Sequence, residues 1–245
     1  TATALDTTTS IAGGTGTAVI ELTADTENDG TIDIQAHGVR AVDTITIVDA
    51  GDATTGSTKL SGKDINLTTG AYATALTIDG SALDAANVDD ASGSNSGDGI
   101  DNDDASAEKL IVDGSSAQAV LTITGGGAGD QITGGTKNDV IDGGAGDDVI
   151  TLTAGGNDNV KGSAGDDKFV FGSTLSKDDV VDGGAGTDTL SVTTLTADNL
   201  AGVTNVETLA FTGTATLSKD LSFDTIDLTE GTVADKVTFA DGYTK

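Results

Sequence analysis

A nine-residue phrase recurs in the middle of the chain and constrains its fold more than any other feature. The copy at 143–151 reads GGAGDDVIT and fits the pattern G-G-x-G-x-D-x-U-x at every position, where U is a large apolar residue. The copy at 183–191 is also complete. The copy at 134–142 has Lys at the fourth position, and that at 162–170 has Ser at the second. The regular spacing predicts a repeating local structure across this block.

Three further segments carry the phrase in altered form. The first copy, which ends at 130–133, has Ala128 at the fourth position. The copy built on 155–160 has slipped by one residue, with Leu152 as the insertion. A longer excursion between 170 and 183 ends in half a repeat, DDVVD at 178–182. The repeat block therefore runs from 125 to 191.

The residue types in the phrase suit a hard cation. Glycine reaches positive φ without a Cβ clash, so the G-G-x-G turn is sharp and exposes carbonyl oxygens. The sixth-position Asp adds a carboxylate, and Ca²⁺ takes about six to eight oxygens of both kinds. We therefore expect several Ca²⁺ ions as the cofactor. The predicted metal-site residues are Asp130, Asp139, Asp148, Asp158, Asp167, Asp179, Asp188, Gly126, Gly135, Gly143, Gly144, Gly146, Gly156, Gly162, Gly165, Gly183, Gly184 and Gly186.

The x-U-x triplet predicts a very short strand with one inward apolar side chain. These inward residues are Ile132, Ile141, Ile150, Val160, Phe169 and Leu190. A flexible Gly/Asp linker would not keep an apolar residue two places after each Asp. One such residue per turn makes a thin core, so we expect metal to supply much of the cohesion.

The repeats resemble those of RTX (repeats-in-toxin) calcium-binding proteins. That resemblance implies a parallel β-roll in which turns on one side recur every second repeat. It implies that Asp148 stacks with both Asp130 and Asp167, and that Asp139 stacks with Asp158. Each Ca²⁺ would then lie between two stacked turns.

Strand signals also dominate outside the block. Segments 18–22, 31–34 and 43–49 alternate apolar and polar residues with period two. The segment ALTIDGSA at 75–82 is echoed by KLIVDGSS at 109–116, which suggests stacked rungs or paired strands. After the block, 202–211 and 221–228 continue in the same style.

The predicted fold class is therefore all-β, a calcium-binding parallel β-roll or β-helix solenoid with β-rich flanks. The flanks are expected to be β-helical or sandwich-like and to cap the open ends of the roll. The predicted domains are a β-rich N-terminal region at 1–124, the roll at 125–191 and a β-rich cap or assembly region at 192–245.

Two acidic stretches are additional candidates for calcium. Residues 25–32 resemble the first half of an EF-hand loop and offer Asp25, Glu27 and Asp29, but the twelfth position is Ala36 where a bidentate Glu should stand. An ordinary polar hairpin turn is the alternative. The acidic surface loop at 89–104 includes Asp98, Asp101 and Asp103, which could hold Ca²⁺ or simply be solvated.

Composition excludes several classes of function. The formal net charge of −29 argues against nucleic acid and anionic membrane surfaces as partners. No stretch approaches the roughly 20 apolar residues of a membrane helix. The chain has no Cys, its only His is His37 and its only Arg is Arg40, so zinc-protease and cysteine-nucleophile chemistry are not available. Paired carboxylates acting on polysaccharide remain conceivable, but we expect no enzyme activity and assign no catalytic residue.

The composition resembles bacterial S-layer proteins of the RTX type. The chain lacks Pro, Cys, Met and Trp, and it contains phrases such as GVTNVETL at 202–209. The resemblance implies a secreted structural subunit at the bacterial cell surface, folded by Ca²⁺ and assembling with itself into a lattice. Cell-surface polysaccharide is a further conceivable partner through regions not evident in the sequence. The alternative is a stalk or C-terminal calcium-folded segment of a larger RTX adhesin or exoprotein secreted by a type I system.

Overall fold

The computed structural model describes residues 19–22, 32–35, 44–47, 65–68, 75–81, 109–217, 223–228 and 236–239. Strands and turns make up nearly all of them. The one helical element within these ranges is the 3-10 helix Ala197–Leu200. The described part of the chain is therefore all-β, as the sequence predicts.

The strands, numbered along the chain, lie in two long sheets and one short pair. The odd sheet contains β1 (Val19–Leu22), β3 (Thr44–Ile47), β5 (Leu76–Asp79), β7 (Leu121–Thr124), β9 (Val140–Ala145), β11 (Asn159–Ala164), β13 (Val180–Ala185) and β15 (Val203–Thr204). The even sheet contains β2 (Ile32–Gln35), β4 (Ile65–Thr68), β6 (Leu110–Asp113), β8 (Gln131–Thr133), β10 (Val149–Thr151), β12 (Lys168–Gly172), β14 (Thr189–Val192), β16 (Thr208–Phe211) and β18 (Thr225–Asp227). The short pair is β17 (Thr214–Leu217) with β19 (Lys236–Phe239).

Consecutive strands of the repeat block lie in opposite sheets, and each pairs in parallel with the strand two further along. In the even sheet Ile150 of β10 is in register with Ile132 of β8 and Phe169 of β12. In the odd sheet Val160 of β11 is in register with Ile141 and Val181. The chain thus winds as a parallel β-solenoid, because each pair of strands and its two turns form one coil.

The core is one continuous cluster of apolar side chains between the two sheets. All six predicted inward residues are buried, each with no more than 1% of its surface exposed. The inserted residue Leu152 is also 1% exposed. Phe171, the second buried residue of β12 after Phe169, is likewise 1% exposed. The slip at Leu152 therefore adds to the core.

Except for β17 and β19, which form the short pair, the described flank strands extend the same two sheets. β1, β3 and β5 pair in parallel and lead into β7, while β16 and β18 follow β14 on the other side of the block. The described flanks are thus β-helical, and the sandwich-like alternative is not what forms.

The echoed segments occupy equivalent places in opposite sheets. β5 and β6 are not neighbours in either sheet, so pairing between these two segments is wrong. Their shared Asp-Gly-Ser sequence makes the same turn twice. Oδ1 of Asp79 accepts hydrogen bonds from N–H and Oγ–H of Ser81 at 3.1 and 2.6 Å, and Oδ1 of Asp113 accepts them from Ser115 at 3.0 and 2.6 Å. The echo reflects a common strand end.

Candidate metal centre

The turns of the roll stack in two columns, one on each side of the core. The glycine column, in which the chain passes from the odd to the even sheet, consists of residues 125–130, 143–148, 162–167 and 183–188. The opposite column, in which the chain returns to the odd sheet, consists of residues 134–139, 152–158 and 172–179. Every one of these turns ends in an Asp, and all seven Asp side chains are buried, with at most 2% of their surface exposed.

In the glycine column each Asp accepts a hydrogen bond from the turn before it. Oδ1 of Asp148 accepts from the N–H of Asp130 at 2.7 Å, and Oδ1 of Asp167 accepts from Asp148 at 2.9 Å. Asp167 donates in the same way to Oδ1 of Asp188 at 2.8 Å. The stacking of Asp130, Asp148 and Asp167 that the resemblance implies is confirmed.

The opposite column contains a second ladder of the same kind. The N–H of Asp139 donates to Oδ1 of Asp158 at 2.8 Å, and that of Asp158 donates to Oδ1 of Asp179 at 2.7 Å. The implied pairing of Asp139 with Asp158 is also confirmed. Each carboxylate thus joins two turns about twenty residues apart in the chain, in addition to the main-chain hydrogen bonds between them.

Three carboxylate oxygens in the glycine column have no hydrogen-bond donor. Within the described residues, the buried side-chain atoms that lack any partner are Oδ2 of Asp148, Asp167 and Asp188. A buried polar atom left unpaired costs about 1–3 kcal/mol, and more when it carries charge. Such an atom requires an explanation, and an ion is among the ordinary ones.

The electrostatics of the glycine column also favour a cation. The pKa of Asp148 is raised from 3.8 to about 8, chiefly by burial and also by the charges of Asp130, Asp167 and Asp142, while the hydrogen bond from the N–H of Asp130 opposes the rise. Burial likewise raises the pKa of Asp167 to about 6 and raises the pKa of Asp188. A row of carboxylates this poorly solvated is expensive to ionise unless a positive charge lies beside it.

The first glycine of each turn leaves the space into which these oxygens face. A Cβ on Gly143 would clash with Oδ2 of Asp148 and lie 3.1 Å from the carbonyl oxygen of Gly162. A Cβ on Gly162 would clash with Oδ2 of Asp167 and lie 2.5 Å from the carbonyl oxygen of Gly183. One carboxylate oxygen and one main-chain oxygen of the next turn therefore face the same small space.

Glycine is required at the second and fourth positions of the repeat for a different reason, which is its backbone conformation. Gly144 and Gly146 have φ of 103° and 98°, values that side chains with a Cβ rarely adopt. Ser163 occupies the second position of its turn at φ 79°, and its Oγ–H donates to Oδ1 of Asp142 at 2.7 Å. The repeat with Ser in place of Gly thus keeps the turn, at a cost in backbone strain that its hydrogen bond offsets.

These residues fit a calcium ion. Within the described ranges no three His, Cys, Asp or Glu side chains converge on one point, so any site must combine carboxylate with main-chain oxygens. A mixed set of that kind is what Ca²⁺ takes, and the Asp148, Asp167 and Asp188 oxygens are the free carboxylate members.

The structure places the other predicted site residues as follows. Of the predicted glycines, Gly126, Gly143, Gly144, Gly146, Gly162, Gly165, Gly183, Gly184 and Gly186 lie in the glycine column, and Gly135 and Gly156 lie in the opposite column. The assignment of individual residues as ligands stays a prediction. The additional candidates Asp25, Glu27, Asp29, Asp98, Asp101 and Asp103, the loop at 89–104, and His37 and Arg40 lie outside the described residues.

Sequence reasoning missed two parts of this arrangement. The fifth repeat position forms its own exposed ladder, in which Oδ1 of Asp147 accepts from the N–H of Asp166 at 2.8 Å and Oδ1 of Asp166 accepts from Thr187 at 2.7 Å. The recurrence of Asp or Asn just before the sixth-position Asp was the available signal. The second part is Glu207, whose Oε2 accepts from the N–H of Asp188 at 2.8 Å and so continues the buried ladder beyond the repeats.

Comparison with known families identifies the repeats. The sequence model of the RTX calcium-binding nonapeptide repeat (4 copies) matches residues 124–155, 153–173 and 174–192. No curated protein and no solved structure matches the chain. Residues 124–192 are therefore RTX calcium-binding repeats, and the parallel solenoid they form is an RTX β-roll.

Repeats of this class indicate a calcium-binding, secreted, extracellular protein and are generally structural or toxin-like. Among the described residues, no helix is long and apolar enough to cross a membrane. That the chain has no enzyme activity stays a prediction.

Proposed function

We propose that the chain is a calcium-folded structural subunit of an extracellular bacterial surface layer that assembles with itself. The observation that carries the calcium part is the row of buried carboxylate oxygens without donors at Asp148, Asp167 and Asp188. Calcium would hold the stacked turns together by binding oxygens from two turns at once. Removing it would leave a buried row of like charges.

Calcium dependence of folding fits the route that such a protein takes out of the cell. RTX-type sites outside cells are expected to be weak, with Kd on the order of 10⁻⁴–10⁻³ M. Cytosolic free Ca²⁺ is too low to fill sites of that affinity, so the chain would remain unfolded before export. In calcium-rich medium the metal would then stabilise the folded state by mass action.

The assembly part of the proposal rests on composition and charge. The chain lacks Pro, Cys, Met and Trp and carries a formal net charge of −29, a profile that resembles RTX-type S-layer proteins. Copies with this much negative charge repel one another at close range unless cations lie between them. Calcium would therefore serve both within the subunit and between subunits, and a surface polysaccharide would be a separate anchor.

A stalk or C-terminal segment of a larger secreted RTX adhesin is the second candidate. The favouring observation is that strand pairing continues without a break from the flanks through the roll, in a sheet of nine strands. At about 4.8 Å per strand, such a sheet spans roughly 40 Å as one stiff rod. A rod of this kind suits a spacer as well as a lattice subunit.

A calcium titration of the purified, calcium-depleted chain separates these proposals. Circular dichroism would follow folding and light scattering would follow assembly at each Ca²⁺ concentration. A transition from coil to β-structure followed by growth of large ordered assemblies supports the surface-layer subunit. Folding that ends at a monomer supports the adhesin segment. A chain that is equally folded without Ca²⁺ would contradict both.

A further inference from the structure

We propose that calcium binds along the glycine column alone, and that the opposite column is a metal-free spine closed by hydrogen bonds and apolar side chains. This inference rests on the proposed calcium binding and specifies where in the roll it occurs. The sixth-position Asp residues look alike in the sequence on both sides. Their surroundings differ in three respects.

The first difference is the second carboxylate oxygen. In the glycine column, Oδ2 of Asp148, Asp167 and Asp188 is buried without a donor. In the opposite column, Oδ2 of Asp139 accepts from the N–H of Gly135 at 2.7 Å, and Oδ2 of Asp179 accepts from the N–H of Ser176 at 2.7 Å. At Asp139 and Asp179 the protein itself thus supplies the partner that a cation would otherwise provide, whereas the carboxylate of Asp158 has the hydrogen bond from the N–H of Asp139.

In the first turn of the glycine column, too, a main-chain N–H donates to the second carboxylate oxygen. Asp130 lies in the turn with Ala in place of the fourth glycine, and its Oδ2 accepts from the N–H of Gly126 at 2.7 Å. The donor-free oxygens therefore belong to the three turns with glycine at the fourth position, which are 143–148, 162–167 and 183–188.

The second difference is the space beside the first glycine. Beside Gly162 that space is bounded by two oxygens, Oδ2 of Asp167 and the carbonyl of Gly183. Beside Gly134 the nearest atom is the methyl Cδ2 of Leu152, at 2.8 Å from the Cβ position, and Oδ2 of Asp139 lies at 3.0 Å. A hydrocarbon group cannot bind Ca²⁺, so the inserted leucine occupies the place where the other column offers a ligand.

Other apolar residues of the returning turns repeat this filling. Leu175 is 3% exposed and Leu195 is 4% exposed, each in a turn from the even to the odd sheet. The opposite side of the solenoid is therefore packed by side chains from its own turns. Its cohesion comes from apolar burial, which needs no metal.

The third difference is the charge around each ladder. The fifth-position ladder consists of Asp147 and Asp166 in the glycine column, where the carboxylates add negative charge near Asp167. In the opposite column the first two residues at this place are neutral, and the N–H of Asn157 donates to Oδ1 of Asn138 at 3.0 Å, while the third, Asp178, is paired with Lys177 at 2.5 Å. Lys137 also stands in that column at the fourth repeat position. A divalent cation is therefore attracted more strongly to the first column than to the second.

A matched pair of substitutions tests this assignment. Asp167→Asn and Asp158→Asn each keep the Oδ1 acceptor that joins the turn to the one before it. The donor is the N–H of Asp148 for residue 167, at 2.9 Å, and the N–H of Asp139 for residue 158, at 2.8 Å. Calcium bound per chain would be measured by equilibrium dialysis with radioactive Ca²⁺. We expect Asp167→Asn to lose at least one bound ion relative to the unchanged chain, and Asp158→Asn to bind the same number.

An exposed pair provides a second test that does not disturb the interior. Asp166→Asn removes a carboxylate from the surface of the glycine column and should raise the Ca²⁺ concentration at half-saturation. Asn157→Asp adds one to the opposite column and should leave it unchanged, because no ion lies there. Both side chains are exposed, so both variants should fold.

The outcomes separate the two proposals. If the unchanged chain binds no Ca²⁺, the proposed function fails. If it binds Ca²⁺ and Asp158→Asn loses as many ions as Asp167→Asn, calcium occupies both columns and the present inference is overturned. Unchanged binding in Asp167→Asn would overturn it equally.

Discussion

The calcium-free roll should be more stable in mild acid than at neutral or alkaline pH. The cause is Asp148, whose pKa rises from 3.8 to about 8 on folding because of burial. A raised pKa means that the folded state binds the proton more tightly than the unfolded chain. The stabilisation is complete below the unfolded value near 4 and is lost as the pH rises through about 8.

The size of the effect follows from the shift. Each pKa unit corresponds to about 1.4 kcal/mol, so a rise of about four units at Asp148 gives on the order of 5 kcal/mol. That is comparable to the whole free energy of unfolding of a typical domain, roughly 5–15 kcal/mol. Asp158, with a pKa raised by burial to about 7, should add to the same trend.

The calcium-depleted chain is expected to be unfolded near neutral pH, so its circular dichroism at about pH 5 and about pH 8 measures the effect as a gain of β-structure in mild acid. Asp148→Asn keeps the acceptor for the N–H of Asp130 but cannot ionise, so its stability should depend less on pH, and Asp158, Asp130 and Asp167 account for the dependence that remains. Asp198→Asn, an exposed change in the 3-10 helix, is the control for loss of one charge and should keep the dependence. Saturating Ca²⁺ should restore stability at the higher pH, because the ion replaces the proton.

Two results would refute this reasoning. One is a calcium-free protein whose stability is equal at both pH values or rises with pH. The other is an Asp148→Asn variant that retains the same pH dependence as Asp198→Asn, which would assign the effect to the overall negative charge.

Three further predictions have defined outcomes. Asp148→Ala should raise the Ca²⁺ concentration at the folding midpoint, followed by circular dichroism, far more than Asp79→Ala does. The reason is that Asp148 is hydrogen-bonded to the turns on both sides of it. Equal midpoints for the two variants would contradict the assignment of Asp148 to the calcium site. Phe169→Ala should lower the free energy of unfolding in saturating Ca²⁺ by about 3–5 kcal/mol, since the ring is fully buried; a loss below that range in urea denaturation would mean that the thin core collapses around the gap. Gly143→Ala should raise the Ca²⁺ concentration at the folding midpoint, because the added Cβ would displace the Asp148 carboxylate. Gly155→Ala is the control, since a Cβ there meets open space. Because Gly155 has φ of 88°, this change should cost about 1–2 kcal/mol of stability and leave the midpoint unchanged.

Much of the fold could be predicted because its signals are local. A β-strand presents alternate side chains to one face, so the period-two segments at 18–22, 31–34 and 43–49 predict strands that the structure has at 19–22, 32–35 and 44–47. The inward residues of the repeats followed from the same rule. The strands β4 at Ile65–Thr68, β7 at Leu121–Thr124, β17 at Thr214–Leu217 and β19 at Lys236–Phe239 were not predicted.

The sequence also predicted which residue types form the site, since the repeating Asp and Gly positions are visible without any structure. It did not reveal that the Asp residues on the two sides have different surroundings. Asp148 and Asp158 are both sixth-position residues, and although the copy that contains Asp158 has slipped by one residue, the sequence does not show which atoms surround each carboxylate. Glu207 was missed for the same reason, because its role depends on lying one coil beyond Asp188.

The repeat phrase by itself thus determined the turn geometry, the inward positions and the kind of ion, because covalent geometry and side-chain chemistry act within a few residues. Only the tertiary structure decided that Leu152 fills one side of the coil while Oδ2 of Asp167 remains unpaired on the other. Those contacts join residues about twenty positions apart, and they depend on which turns stack. Stacking is set by the register of the two parallel sheets, which forms only when the whole solenoid has wound.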